Sequence, residues 1–210
     1  LRLTNNSNNY SGGTILNAGT LQIGANGALG SGELTINGGN LEAFGAARTP
    51  TNAYTIGGGY NVIGSNNLTF SGAGTVAAGN HTVNVASGLT HTYSGNLTGS
   101  GGLTATGPGI ISFTGGTKTF SGGLTVNNGT VNASRGGNIT LGAADGANNI
   151  AGSGNITVNT GGTFNLTQTA NNAITLRGGS TLANNGGTLN VTSTGNNEAR
   201  DFFIGTDASN

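Results

Sequence analysis

The sequence contains no cysteine, methionine or tryptophan, and only two prolines. Without cysteine there is neither a disulfide framework nor a thiolate zinc site. Charge is equally sparse. Six basic and six acidic residues balance to a formal net charge of zero, and residues 49–117 carry no Lys, Arg, Asp or Glu. A nucleic-acid interface needs clustered lysine and arginine, so nucleic acid is excluded as a partner. No run of about 18 apolar residues occurs, which leaves no helical membrane span. The N-terminus lacks a basic stretch followed by an apolar one, so no signal peptide is read there. The pattern starts and stops in mid-repeat, and the expectation is one domain over residues 1–210, a fragment or mature piece of a longer protein.

What is present is glycine, 43 residues of it, with Asn and Thr at about thirty each. Large aliphatic residues and Phe make up about a fifth of the chain, close to the level at which disorder becomes the default. A chain so poor in apolar residues folds if one element repeats and its backbone groups pair from repeat to repeat. Gly, then Thr or Asn, then a large apolar residue, a variable one and a small or apolar one recurs six times, at Gly19, Gly39, Gly74, Gly129, Gly162 and Gly187. Each copy reads as a turn followed by a short strand with period-two alternation. An aromatic residue followed by Ser-Gly recurs at Tyr10, Phe70, Tyr93 and Phe120, and Gly-Ser-Gly leads into strand patterns at Gly30, Gly99 and Gly152. Ser11 precedes Gly19 by the same interval that separates Ser121 from Gly129.

Periods of about 20–27 residues with strands of three to five residues predict an all-β fold, a right-handed parallel β-helix. About nine coils, each ~4.8 Å above the last, give a rod of roughly 40–45 Å. Inward Leu, Ile, Val and Phe form the core, and Thr and Asn at equivalent positions form ladders. Two segments depart from the pattern, Ala43 to Gly59, read as a loop or irregular coil, and Arg135 to Asn149.

Tyr10-Ser11-Gly12-Gly13-Thr14, Ala18-Gly19-Thr20-Leu21-Gln22-Ile23-Gly24, Ala28-Leu29-Gly30-Ser31-Gly32 and Leu34-Thr35-Ile36-Asn37-Gly38-Gly39 resemble the autotransporter-associated β-strand repeat, also called the passenger-associated transport repeat. The resemblance covers residues 8–44, with a second copy from Phe120 to Phe164. The second copy has about 12 extra residues, placed in Arg135 to Asn149 as a protruding loop or added partial coil. The resemblance implies a β-helical passenger segment, export to the bacterial cell surface and a role in extending, secreting or displaying an adhesin. It implies no catalytic residues.

Catalysis and ligation find little support. The acids are Glu33, Glu42, Asp145, Glu198, Asp201 and Asp207. Glycoside hydrolysis needs two carboxylates roughly 5–10 Å apart; Glu33 and Glu42, read as coming from adjacent coils, are the nearest to a pair, and isolated solvated charges explain them better. Glu198, Arg200 and Asp201 read as a solvated loop contact. His81 and His91 have no acid or cysteine beside them to complete a metal site, and their Thr-rich surroundings suggest outward strand positions. Only Asp145 precedes a Gly, which excludes a calcium-binding repeat. Gly57-Gly58-Gly59 and Gly99 to Gly102 lack the Gly-Lys-Ser/Thr ending of a phosphate loop. Thr-x-Thr recurs at Thr90/Thr92, Thr104/Thr106, Thr117/Thr119, Thr167/Thr169 and Thr192/Thr194; the first three are spaced too closely to align on one face, which disfavours ice binding. The reading is therefore no enzyme, no catalytic, cofactor or metal site, and an extracellular structural or adhesive module. Its expected partner is itself, end to end or side by side, with surface glycans or proteins as the alternative.

Overall fold

Alternation decides the strands. Leu34-Thr35-Ile36 and Tyr54-Thr55-Ile56 bury the first and third side chains and leave the threonine at the surface, the period-two pattern of a half-buried strand. In the computed structural model, which describes residues 1–135, 139–141, 154–168, 174–176, 181–193 and 202–203, such segments stack into a β-solenoid. Every strand pairing is parallel. No helix occurs among the described residues.

Sheet A contains β1 (Arg2–Leu3), β3 (Thr20–Ile23), β5 (Asn40–Ala43), β7 (Tyr60–Ile63), β10 (Asn80–Val85), β13 (Gly102–Thr106), β15 (Leu124–Val126), β18 (Ile156–Asn159) and β21 (Leu182–Asn185), in that order. Sheet B contains β2 (Thr14–Leu16), β4 (Leu34–Ile36), β6 (Tyr54–Ile56), β9 (Gly74–Val76) and β12 (Leu97–Gly99). Sheet C contains β8 (Leu68–Phe70), β11 (Thr90–Tyr93), β14 (Ile110–Phe113), β16 (Thr130–Arg135), β19 (Thr163–Gln168) and β22 (Thr188–Ser193). A fourth sheet, D, contains β17 (Ile139–Leu141), β20 (Ile174–Leu176) and β23 (Phe202–Phe203). From β6 to β14 the chain visits B, A and C in turn. Beyond β16, sheet D occupies the place of sheet B in chain order.

The coils are regular to about Leu124: partners lie 20 residues apart at the short end (Thr14 and Leu34) and 23 at the long (Leu68 and His91). The next coil takes 32 residues, from Leu124 to Ile156, and the one after it 26, from Ile156 to Leu182. The extra residues fall between β16 and β18, and they include β17, which pairs with β20 in sheet D. The rest of the Arg135 to Asn149 irregularity lies outside the described residues. The solenoid makes about seven turns, fewer than the nine expected. Nine strands do stack in sheet A, but the first has two residues and the late coils consume more chain. The Ala43 to Gly59 segment is more regular than expected. It holds β6, keeps the 20-residue spacing, and pairs Arg48 with Leu68 where a strand of sheet C would begin.

The core is one continuous column of inward residues. In sheet B it runs Leu16, Ile36, Ile56, Val76 and Gly99, each above the last. Corners are tight, which explains much of the glycine. At Gly58, between β6 and β7, an added Cβ would lie 2.1 Å from the Asn37 carbonyl oxygen of the coil below. No side chain fits there, so Gly57-Gly58-Gly59 is a turn that lets coils approach.

Candidate functional site

The two histidines correct the sequence reading. His91 is fully buried and His81 nearly so, where outward positions were expected. The physical reason is alternation: Tyr93 and Val83 point inward, so His91 and His81, two residues before each, must do the same. His81 Nε2 lies 2.9 Å from the Ala77 carbonyl. His91 sits in an aromatic cluster drawn from three sheets. Its ring meets Phe70 at 4.9 Å and Tyr93 at 4.5 Å, and Tyr93 stacks on Phe113 at 5.6 Å.

A hydrogen-bond relay threads this cluster. His91 Nδ1 donates to the Leu68 carbonyl at 3.0 Å, which leaves Nε2 to accept from the Tyr60 hydroxyl at 2.9 Å. The Tyr60 oxygen in turn accepts from the Tyr93 hydroxyl. This tautomer satisfies the ring as a neutral base. Burial lowers the His91 pKa to about 4 and pushes the Tyr60, Tyr93 and Tyr54 phenols well above their ordinary value. The Tyr54 hydroxyl is buried without a partner. A tilted ring contact with Phe70 at 4.6 Å and burial of the ring account for its place.

Sequence reasoning also missed Lys118, whose side chain is fully buried. Its Nζ donates to the carbonyls of Gly95, Thr114 and Gly116 at 2.8, 2.9 and 2.6 Å. Arg48 does the same at another corner, reaching back four residues to the Phe44 carbonyl. The signal was available, since Phe120 is inward and Lys118 precedes it by two. Lys118→Met keeps the apolar stem but strands these carbonyls, so a loss on the order of 3 kcal/mol is expected. Denaturant unfolding of the two proteins measures it.

The carboxylates do not form a pair. Glu33 precedes β4 at sheet B and accepts from the Thr55 hydroxyl, whereas Glu42 lies in β5 of sheet A and accepts from Gln22 at 2.7 Å. They belong to one coil and to two sides of it, not to adjacent coils as expected. Asp145, Glu198, Asp201 and Asp207 lie outside the described residues. Among the described residues no group of His, Asp and Glu could hold a metal ion. Thr90/Thr92 belong to sheet C, Thr104/Thr106 to sheet A, and Thr117/Thr119 flank Lys118 at the sheet B position. These three do not align, as the spacing indicated, whereas Thr167 and Thr192 of the later pairs stack on sheet C.

Other polar columns do align. On sheet A, Thr20, Asn40, Asn61, Asn84 and Thr106 lie one above another. Farther along, Asn159 donates to Asn127 at 2.6 Å and accepts from Asn185 at 3.1 Å. On sheet C, three columns run side by side across β16, β19 and β22: Thr130, Thr163, Thr188; Asn132, Asn165, Asn190; and Ser134, Thr167, Thr192. The asparagines are chained, Asn190 to Asn165 at 2.8 Å and Asn165 to Asn132 at 2.7 Å. A shallow groove of about 850 Å³ lies here, lined by the asparagine column, by Ser134, Thr167 and Thr192, and by Ser112, Leu189 and Val191. None of its described lining residues is charged.

No curated protein and no solved structure matches the chain. The passenger-associated-transport-repeat family matches residues 1–23 and 103–133, about a quarter of the chain. These windows overlap the copies read from the sequence at residues 8–23 and 120–133. The fold adds that the two copies use different sides of the solenoid: β2 and β3 occupy sheets B and A, β15 and β16 sheets A and C. A repeat that specifies two strands and a corner fits any two adjacent sides. Both matches are seated on in-register strands of one solenoid, so the chain carries passenger-associated transport repeats over those two stretches, and its fold fits a passenger repeat segment.

Proposed function

We propose that this chain is a non-catalytic extracellular module of a bacterial surface protein, a rigid stalk or self-associating fibre subunit. The observation that carries the reading is the unbroken stacking of neutral coils. Sheet A alone spans nine strands, roughly 40 Å at ~4.8 Å per coil, and 69 consecutive residues, 49–117, supply the middle coils without a charge. A rod of this kind extends whatever is joined to it. The repeat family suggests a secreted or cell-surface passenger, in keeping with that role.

Self-association would use the side faces of the middle coils, where residues 49–117 set no like charges between two copies. Negative-stain electron microscopy over a concentration series is expected to show filaments or bundles that grow with concentration. Single short rods at every concentration would remove the fibre reading and leave the stalk.

A further inference from the structure

We infer that the neutral groove on sheet C is a binding site for an extended, uncharged polysaccharide strand lying along the solenoid axis. Its floor is a grid of side chains repeated from β16 to β19 to β22, with the coil rise of ~4.8 Å between rows. The asparagine column uses one amide N–H and one carbonyl of each pair to hold itself in line. The remaining amide groups face outward in fixed orientation. The hydroxyls of Ser134, Thr167 and Thr192 make no side-chain hydrogen bond among the described residues and line the same groove. The result is a regular row of donors and acceptors with no charge.

Three features favour a sugar chain. A pyranose ring is about as long as one coil is high, so successive rings of a linear polymer would meet successive rows. A sugar presents hydroxyl edges, which the outward asparagine amides and the hydroxyls of Ser134, Thr167 and Thr192 match, whereas Leu189 and Val191 continue the inward columns of Phe164 and Leu166. Over β16 and β19, which are paired on both flanks, recognition proceeds through side chains, while β22 ends sheet C among the described residues. Among the described lining residues none is Lys or Arg, in keeping with an uncharged polymer. The site is independent of whether the rod self-associates.

The test is calorimetric titration of the full 210-residue chain with cellohexaose, β-1,4-mannohexaose and chitohexaose, and with hexagalacturonate as the acidic comparison. Saturable binding of at least one neutral hexamer is expected, about tenfold or more tighter than its disaccharide because the longer chain spans several rows. Ser134→Ala combined with Thr167→Val removes two unpaired hydroxyls, is expected to leave melting unchanged, and should weaken the hexamer about fivefold or more. Asn165→Ala should weaken it further, but it also cuts the ladder, so the hydroxyl variant carries the decision. No saturable binding of any neutral hexamer, tighter binding of hexagalacturonate, or a double variant that binds as well as the parent would overturn the assignment. So would a double variant whose only change is slower or faster sedimentation, since that would assign the face to a second copy of this chain.

Discussion

Replacing Phe120 by Asp is expected to unfold the central coils. Phe120 is fully buried, packs against Phe113 at a ring distance of 6.2 Å, and follows Gly99 in the sheet B column. The coil below therefore offers no side chain at that position, and the Phe120 ring supplies apolar surface that no neighbour in the column replaces. Removing a buried Phe alone costs about 3–5 kcal/mol. A carboxylate put in its place must stay ionised away from water, drawing on a Lys118 ammonium already held by three carbonyls, or take up a proton, and either adds to the loss. The sum is comparable with the whole stability of an ordinary domain, about 5–15 kcal/mol. Because coils contact their neighbours alone, the damage should centre on the coils between β12 and β16 and spread outward from there. Limited proteolysis, with cleavage sites mapped by mass spectrometry, is expected to cut first within residues 97–135. Phe120→Leu should lose only about 1–1.5 kcal/mol. A Phe120→Asp protein that melts like the parent would show that the ring does not help to build the core.

The solenoid was legible because its causes are local. A strand of three residues announces itself by Leu-Thr-Ile or Leu-Thr-Val, and a corner by the glycine that permits close approach. What was not legible is which strand lies above which. The Gly-Thr-apolar motif falls in sheet A at Thr20 and Asn40, in sheet B at Thr75 and in sheet C at Thr130, Thr163 and Thr188. The motif is the same in each place; the side is set by coils of 20, 23 or 32 residues, whose lengths are spent in corners and insertions. The columns of Asn132, Asn165 and Asn190 depend on that count and were invisible for the same reason. Phe120 illustrates the limit. Its Ser-Gly neighbours group it with Phe70 and Tyr93, yet the residue that stacks above Tyr93 is Phe113, and Phe120 belongs to another side. The inward histidines and Lys118 failed differently. Period two was enough to place them, but residue type was weighed above position, and a buried polar side chain flanked by threonines was read as solvated.

Acid should loosen the middle coils through His91. The ring is neutral in the fold, with a pKa lowered to about 4 by burial, against 6.5 for a free histidine. The unfolded chain therefore binds a proton below pH 6.5 that the folded chain refuses until about pH 4. Stability from this group is fully present above pH 6.5 and is lost as pH falls toward 4, by up to about 3 kcal/mol. The relay explains why the proton is refused. Protonation would turn Nε2 into a donor facing the Tyr60 hydroxyl, force Tyr60 to donate to Tyr93 instead, and leave the Tyr93 hydrogen without its acceptor. The charge itself would lie among Tyr60, Phe70 and Tyr93, with their rings for company and no carboxylate among the groups that contact it. Two measurements check this. The ring resonance of His91, one of only two histidines, should stay in its neutral position down to about pH 4. The denaturation midpoint of the parent should fall between pH 6.5 and 4 more steeply than that of His91→Phe, which has no proton to bind. A His91 resonance that titrates near 6.5, or equal slopes for the two proteins, would mean that water reaches the ring and that the relay does not hold sheets A and C together.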